Sequence, residues 1–527
     1  MTCLIHELIS DSAQRMPERP ALQEGKTTLN YVQLHTAVTQ ATHFYLHLGL
    51  ARAERVAVWL DKRIDTVTAL FGAAAAGGVF VPVNPLLKPE QVGHILTDCN
   101  VRILVTSPER LELLRAVLPQ CRDLRTLVLT GDREAAPPEG LPCVRWNARE
   151  TASVLPAHRV IDGDMAAILY TSGSTGRPKG VVLSHRNLVA GAESVSQYLE
   201  NTPDDRILAV LPLSFDYGLS QLTTAFRVGA CAVLMNYLMP RDVIRAVERE
   251  KITGLAAVPP LWVQLAQLEW PESIRSHLRY LTNSGGHMPR STLDALRTRL
   301  PQIKPYLMYG LTEAFRSTYL PPEEVDRRPD SMGKAIPNAE ILVVHPDGTP
   351  CAPGEEGELV HRGIHVALGY WNDPDKTAER YKPAPGQLAG LVIPELAVWS
   401  GDTVKKDEEG FLYFVGRRDE MIKTSGYRVS PSEVEEVVYA SGLAKEVAAT
   451  GVAHPVLGQA VVLVVFAETQ DGVAGRLLAE CKQKLPAFMV PAHIDVRTQP
   501  LPRNPNGKID RKRLSGELAN LFQEMTA

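Results

Sequence analysis

The residues best suited to chemistry lie in one string, Tyr170 to Gly180, which reads Tyr-Thr-Ser-Gly-Ser-Thr-Gly-Arg-Pro-Lys-Gly. Its glycines, Gly173, Gly176 and Gly180, permit left-handed backbone and close approach to a ligand. The hydroxyls of Thr171, Ser172, Ser174 and Thr175, with free backbone N–H groups, can surround an anion. Arg177 and Lys179 add positive charge. Apolar runs, Met165 to Leu169 and Val181 to Leu183, flank the string. Two strands joined by a donor-rich loop make a phosphate clamp; a mobile Gly/Ser loop is the competing reading from composition alone. A Walker A loop is excluded by spacing, because it needs Gly-Lys-Ser/Thr running into a helix. Here Pro178 precedes Lys179 and Gly180 follows it before an expected strand.

Further polar strings punctuate the chain. They are Ser214-Phe-Asp-Tyr-Gly-Leu219, Asn283-Ser-Gly-Gly-His-Met288, Met308-Tyr-Gly-Leu-Thr-Glu-Ala314, Val398-Trp-Ser-Gly-Asp-Thr403 and Asn504-Pro-Asn-Gly-Lys-Ile-Asp-Arg511. Taken singly, each has a plain structural reading. A lone tyrosine such as Tyr309 is usually a core residue, Glu313 an exposed loop acid, and Lys508 a solvated surface lysine.

The elements that must carry these strings alternate. Val56–Leu60, Val79–Val83, Val101–Thr106 and Thr126–Thr130 read as strands, and Asp65–Ala76, Lys88–Cys99 and Pro108–Val117 as helices. Such alternation implies parallel pairing through right-handed crossovers. Leu4, Ile5, Leu8 and Ile9 fall at helical spacing and predict an amphipathic helix. The segment from Asp132 to Asp164 reads as irregular. Alternation resumes with Arg206–Leu213, Cys231–Met235, the helix Asp242–Glu250 and Leu255–Val258. Beyond about residue 330 short apolar strands separated by Gly/Pro turns predict a β-rich subdomain. After Asp419 a compact αβ unit follows, with the helix Pro431–Tyr439 and the strand Ala460–Ala467.

Taken in order, the strings resemble the signature motifs of the AMP-forming, adenylate-forming ligases: acyl-CoA synthetases, adenylation domains of peptide synthetases, and luciferases. Five motifs match in family order, and the resemblance runs from about residue 10 to 515. It implies an α/β fold with a large N-terminal domain of parallel sheets flanked by helices (residues 1–418, the β-rich subdomain spanning about 330–418) and a small mobile α+β C-terminal domain (419–527). It also implies that the loop Thr171, Ser172, Gly173, Ser174, Thr175, Gly176 and Lys179 holds the phosphates of ATP. Thr312 and Glu313 match the family's phosphate and Mg2+ contacts; a carboxylate beside phosphates is sensible with a hard cation between. Tyr309 matches the residue that stacks on adenine, with Gly285 and Gly286 on the other side. Asp402 matches the ribose-binding carboxylate, Arg417 a ribose or phosphate contact, and Lys508 the mobile catalytic lysine of adenylation. Asp419 matches the hinge about which the C-terminal domain turns, and Lys423, Ser425 and Gly426 the lining of a pantetheine tunnel. The acceptor is CoA or 4'-phosphopantetheine, the latter on a carrier protein acting in trans.

The acid pocket is the least defined part. Phe215, Asp216, Tyr217, Ser220, Met308, Arg316 and Ser317 fall at its expected positions. Asp216 occupies the place where amino-acid-activating members carry an aspartate for the substrate ammonium. Asp216 and Arg316 either pair with each other or grip a polar acid; a long alkyl chain is poorly served, because a charge facing it is expensive to desolvate. The expected substrate is a small polar or amino acid, with a small or medium non-amino carboxylic acid as the alternative and a luciferase-like oxygenase as an outlying one. Taken whole, the chain resembles the acyl-CoA ligases associated with exosortase gene clusters, which in turn resemble stand-alone prolyl ligases that load carrier proteins.

Composition sets outer limits. Of 527 residues, 22% are charged and 45% hydrophobic, ordinary for a globular protein of more than one domain. A net charge of −4 gives no global attraction to nucleic acid or anionic membranes. Seven dispersed cysteines without a Cys-x-x-Cys predict reduced thiols in a cytoplasmic protein. The N-terminus lacks a basic, then apolar, signal pattern. The apolar window Thr66–Val83 reads as helix, glycine turn and buried strand, not a membrane span.

Overall fold

A computed structural model describes the protein except residues 1, 152, 172–177, 389, 418–419, 425–426, 455–456 and 525–527. Its described strands form three sheets.

The eight-stranded sheet holds the first alternating segment. Arg55–Trp59, Val79–Pro82, Val101–Thr106, Thr126–Leu129 and Cys143–Arg145 pair in parallel, and Met165–Thr171 joins in parallel beside Val79–Pro82. The helices Ile64–Ala75 and Pro89–Asp98 cross over between strands, within a residue or two of the positions read from sequence. The apolar window splits as expected: Ile64–Ala75 is a helix buried from Thr66 to Ala74, and Val79–Pro82 is a fully buried strand. Among the described residues no helix is long and apolar enough to cross a membrane. The amphipathic N-terminal helix is Glu7–Arg15, with Leu8 and Ile9 buried.

The fourteen-stranded sheet is built on a parallel centre. Pro20–Glu24, Cys231–Leu234, Arg206–Ala209, Gly254–Ala257, Tyr280–Asn283 and Lys304–Tyr309 run in parallel. Thr318–Leu320 then pairs antiparallel with Lys304–Tyr309, and Ser331–Ala335 pairs with Thr318–Leu320. Ser331–Ala335 also pairs with Leu412–Arg417, carrying the ladder into Leu396–Lys406, Glu356–Gly363 and Ala339–Val344. The β-rich region foreseen as a subdomain is therefore hydrogen-bonded into the same sheet as the parallel centre. The segment from 132 to 164, read as irregular, contains one short strand and a 3-10 turn, Trp146–Thr151.

Two departures bear on the site. The string around Phe215 opens a helix, Asp216–Val228, that no periodicity had marked. The short strand Gly369–Tyr370, reached from the strand Glu356–Gly363 of the fourteen-stranded sheet, pairs with the hairpin strand Lys179–Ser184 at the edge of the eight-stranded sheet. Trp371 N donates to Gly180 O at 2.8 Å and Ala367 N to Glu313 O at 2.9 Å, so one segment touches both.

The third sheet forms a C-terminal unit. The hairpin Glu446–His454 and Gly458–Phe466 is its centre, with His493–Arg497 in parallel and Ile422–Thr424 and Tyr427–Val429 at one side. The helices Pro431–Ala440 and Val473–Lys484 cover its apolar face.

Candidate active site

The cleft lies where loop ends of the fourteen-stranded sheet, the hairpin of the eight-stranded sheet and the C-terminal unit converge. The hairpin Met165–Thr171 and Lys179–Ser184 forms as the flanking apolar runs require, with Thr171 opposite Lys179. Ser172, Gly173, Ser174, Thr175 and Gly176 lie outside the described residues. The helix that follows is fixed by a capping box: Asn187 N donates to Ser184 Oγ at 3.1 Å, and Ser184 N to Asn187 Oδ1 at 2.9 Å. Lys179 Nζ sits 5.1 Å from the centre of the Tyr370 ring. Burial and the neighbouring cations Lys376 and Arg380 depress its pKa; the carboxylate of Glu313 opposes them.

Glu313 and Thr312 occupy a 3-10 turn, Thr312–Ala314, just past the strand Lys304–Tyr309. Glu313 Oε1 accepts a hydrogen bond of 2.5 Å from Tyr370 Oη. Thr312 Oγ1 donates to Asp216 Oδ1 at 2.9 Å. One carboxylate and one hydroxyl beside a phosphate-binding hairpin fit Mg2+, which takes one or two protein carboxylates and fills its other positions with phosphate oxygen and water. Tyr370 was not found from sequence. It lies 57 positions from Glu313, and nothing local to either residue announces the contact.

Tyr309 donates its hydroxyl to Asp402 Oδ2. Asp402 Oδ1 lies 3.4 Å from Arg417 Nε, and the two residues face each other across the strand pair Leu396–Lys406 and Leu412–Arg417. Burial raises the pKa of Asp402, and Arg417 and the tyrosine hydroxyl hold it back. Gly285 and Gly286 follow the strand Tyr280–Asn283, with Gly286 O accepting from Asn283 Nδ2 at 3.0 Å.

Lys508 is carried into this cleft from the C-terminal unit. Its loop is braced from inside: Lys508 N donates to Asn504 Oδ1 at 3.1 Å, Asn504 N to Lys508 O at 2.8 Å, and Arg503 Nη1 to Gly507 O at 3.0 Å. Arg503 pairs with buried Glu446 at 2.5 Å, and Arg511 with Glu435 at 2.6 Å. The unit docks through Asn84 Nδ2 to Pro505 O at 2.8 Å and through Glu436, which meets His287 Nε2 at 3.0 Å and Arg290 N at 3.1 Å. Lys508 then passes over Gly285, where a Cβ would stand 2.8 Å from Lys508 Cε. Its ammonium lies 5.4 Å from the centre of the Phe215 ring. Burial lowers the lysine pKa, and the Asp216 carboxylate is the chief influence raising it.

Asp216 begins its helix, where the positive end of the macrodipole favours a carboxylate. It is 4% exposed, and desolvation raises its pKa against the pull of Arg316, Thr312 and Lys508. Of the expected pocket residues, Tyr217, Ser220, Met308 and Arg316 line a cavity of about 10 Å³ with Val195, Leu199 and Ile207, and Phe215 and Asp216 do not. Ser317 does not line it; its hydroxyl is bonded to His361 Nδ1 at 2.9 Å. Asp216 and Arg316 form no ion pair within 4.0 Å, so the direct pairing weighed from sequence is absent. Gln221, Thr224, Tyr280 and Thr282 also line the cavity and were missed. Residues 217, 220, 221 and 224 fall at the i, i+3, i+4, i+7 spacing of one helical face, a signal available once this segment is read as a helix. Of the remaining expected residues, Lys423 stands opposite Arg428 in the edge strands, and Asp419, Ser425 and Gly426 lie outside the described residues.

A parallel-sheet body whose cleft is closed by a lysine-bearing C-terminal unit is the architecture of an adenylate-forming ligase. Residues 9–371 match the AMP-binding enzyme family and residues 433–508 the AMP-binding enzyme C-terminal domain, and the chain belongs to this family. It is similar to two L-proline--[L-prolyl-carrier protein] ligases. That of Pseudomonas fluorescens is 30% identical over 539 residues, covering 98% of this chain and 99% of the relative. That of Streptomyces coelicolor is 33% identical over 535 residues, covering 96% and 94%. Among solved structures, the anthranilate CoA ligase AuaEII in complex with anthranoyl-AMP superposes with a TM-score of 0.88 at 24% identity, covering 99% of each chain. The protein is an ATP-binding, adenylate-forming ligase.

Proposed function

We propose that the protein joins a small polar carboxylic acid to a pantetheine thiol in two steps. In the first, the acid attacks the α-phosphate of ATP, giving an acyl-adenylate and pyrophosphate. In the second, the thiol of CoA or of a carrier protein's 4'-phosphopantetheine displaces AMP. The observation that carries this reading is Lys508, held by a braced loop over Gly285 and beside Phe215 and Asp216.

Both reactants of the first step are anions, so charge neutralisation and positioning dominate catalysis. Lys508 supplies a cation between the acid carboxylate and the α-phosphate. Lys179 and the loop from Thr171 to Gly176 receive the outer phosphates. Asp402 accepts hydrogen bonds from the ribose hydroxyls, and Tyr309 lies against the adenine. Thr312 and Glu313 would hold Mg2+, which when bound neutralises phosphate charge. The core runs from residue 1 to 418 and the turning C-terminal domain from 419 to 527, with Asp419 as hinge. Turning withdraws Lys508 and brings Lys423, Ser425 and Gly426 to the thiol's path. The reading of the acid as small rests on the tight cavity at Arg316, and as polar on Arg316 and on the Ser220, Gln221 and Thr224 side chains set among its aliphatic walls.

The test is ATP–pyrophosphate exchange with purified protein and a panel of acids: proline and other amino acids, their des-amino analogues, and plain medium-chain acids. A small polar acid should support exchange and a medium-chain acid should not. If Asp216 receives a substrate ammonium, Asp216→Ala lowers exchange with an amino acid about 100-fold or more and affects its des-amino analogue much less. Turnover of medium-chain acids alone rejects the polar-acid reading.

A further inference from the structure

Arg316 is 1% exposed, one of the largest fully buried side chains in the protein. Its Nη1 donates to Ser284 Oγ at 3.0 Å, and its guanidinium lies 4.7 Å from the centre of the Tyr217 ring. Its Nε and Nη2 have no hydrogen-bond partner, and no carboxylate of the described residues comes within 4.0 Å. Arg328, whose side chain is 7% exposed, makes the contrast: it meets Glu324, Asp407 and Glu409. Asp216 feels its charge from beyond ion-pair distance, but a buried guanidinium with no direct ion pair is still costly, and the cost is relieved when a partner arrives.

The surroundings of Arg316 are those of a binding site. It lines the cavity beyond Asp216 together with Ser220, Gln221, Thr224 and Thr282, and the buried Thr224 hydroxyl there also lacks a partner. The backbone that presents it is held in a demanding shape. Phe315 has φ +57° and ψ −63°, a region bulky residues seldom occupy. Its ring fills the space left by Gly191, where a Cβ would stand 2.3 Å from it. Strain of this kind persists where surrounding packing over-determines it, and it clusters at ligand sites.

The other charges near the cavity have partners in the proposed chemistry. Lys508 serves the reacting carboxylate, and Asp216 accepts from Thr312. The space, about 10 Å³, is no more than one water needs, so the group it receives must be compact and the walls must yield to it.

We propose that Arg316 receives a second, non-reacting carboxylate at the far end of the acid, so that the substrate is a short dicarboxylic acid. A carboxylate presents two oxygens to the guanidinium fork, the pairing arginine makes best. This inference rests on the adenylation reading and specifies its acid.

The experiment uses the full chain, wild type and Arg316→Met, in pyrophosphate exchange. The acids are succinate, glutarate and glutamate, with butyrate, valerate and 2-aminobutyrate as partners lacking the second carboxylate, and proline. Wild type is expected to favour a dicarboxylic acid over its partner by about 100-fold or more in kcat/KM, and Arg316→Met to abolish that preference. Thermal unfolding gives an independent readout. The dicarboxylic acid should raise the Tm of wild type and leave that of the variant unmoved, while the variant without ligand unfolds no lower than wild type. Exchange with proline or mono-acids but with no dicarboxylic acid overturns the inference and leaves adenylation standing. A uniform loss with every acid and a lowered Tm overturns it by making Arg316 a brace of the fold. A preference that survives Arg316→Met overturns it too, and leaves the guanidinium to a trapped water. Silence from every acid removes the adenylation reading itself.

Discussion

The nucleotide side of the cleft and its acyl side are built differently. On the nucleotide side most polar groups are already engaged with one another: Tyr309 with Asp402, Asp402 with Arg417 at 3.4 Å, and Glu313 with Tyr370 at 2.5 Å, though Asp402 Oδ1 makes no hydrogen bond of its own. They stand on strands and a turn of the fourteen-stranded sheet, except Tyr370, which sits on the edge strand of the eight-stranded sheet. On the acyl side two helices and three strands of the fourteen-stranded sheet supply the walls with Arg316, and Arg316 and Thr224 keep unsatisfied donors. A network whose members satisfy one another is rigid before ligand arrives; one with an open donor is completed by the ligand. The first arrangement suits a reactant common to every turnover, the second a reactant that must be chosen.

The sharpest break of that comparison removes the group that serves both sides. Lys508→Ala should lower adenylation by about 1,000-fold or more, since a preorganised charge at the reacting centre is lost. It should largely spare thioester formation from pre-made acyl-adenylate, because the lysine acts only at the first transition state. Separate assays of the two half-reactions check this, and equal loss in both counts against it. Gly285→Ala is the next largest. The added Cβ would press on Lys508 Cε at 2.8 Å, at a residue with φ +82°, and a displaced lysine should cost adenylation about 10- to 100-fold. Exchange kinetics with the thioester half-reaction as control read it directly.

Tyr309→Phe sharpens the nucleotide side. It removes the hydroxyl bonded to Asp402 and leaves the ring, so a loss of about 1 kcal/mol is expected, a few-fold in KM for ATP with kcat little changed. The smallest effect on catalysis comes from acid. His361 is held down to about 3, and His365 and His185 to about 4, all chiefly by burial. Each is neutral in the fold but takes a proton at about 6.5 when unfolded. Their contribution is therefore full above pH 6.5 and is lost as pH falls toward 4, at up to about 1.4 kcal/mol per pH unit for each. Denaturant titrations between pH 7 and 4 should show this slope, and His361→Gln should flatten it.

Much of this was legible in the chain. Strand and helix alternate through the first sheet because buried strands there are continuous apolar runs, Val79–Pro82 above all. The phosphate hairpin declared itself through flanking apolar runs. The helix Asp216–Val228 did not: it is buried on every side, its polar face lines a cavity instead of solvent, and Gly218 near its start reads as a turn. The solitude of Arg316 was equally hidden. Asp216 stood a hundred residues upstream as an obvious partner, yet in the fold the two form no ion pair within 4.0 Å. Lys508 looked solvated in sequence because its burial depends on docking between units, which no local pattern encodes.

The unbroken ladder from Pro20–Glu24 to Ala339–Val344 has a mechanical meaning. Rungs of backbone hydrogen bonds run from the first strand of the chain through Leu412–Arg417, so Tyr309, Asp402 and Arg417, with the turn that carries Glu313, sit on one stiff plate. No pivot can operate inside that plate without shearing a row of rungs. The turning proposed for the C-terminal unit must therefore leave that plate intact and carry Lys508 past it as the end of a lever.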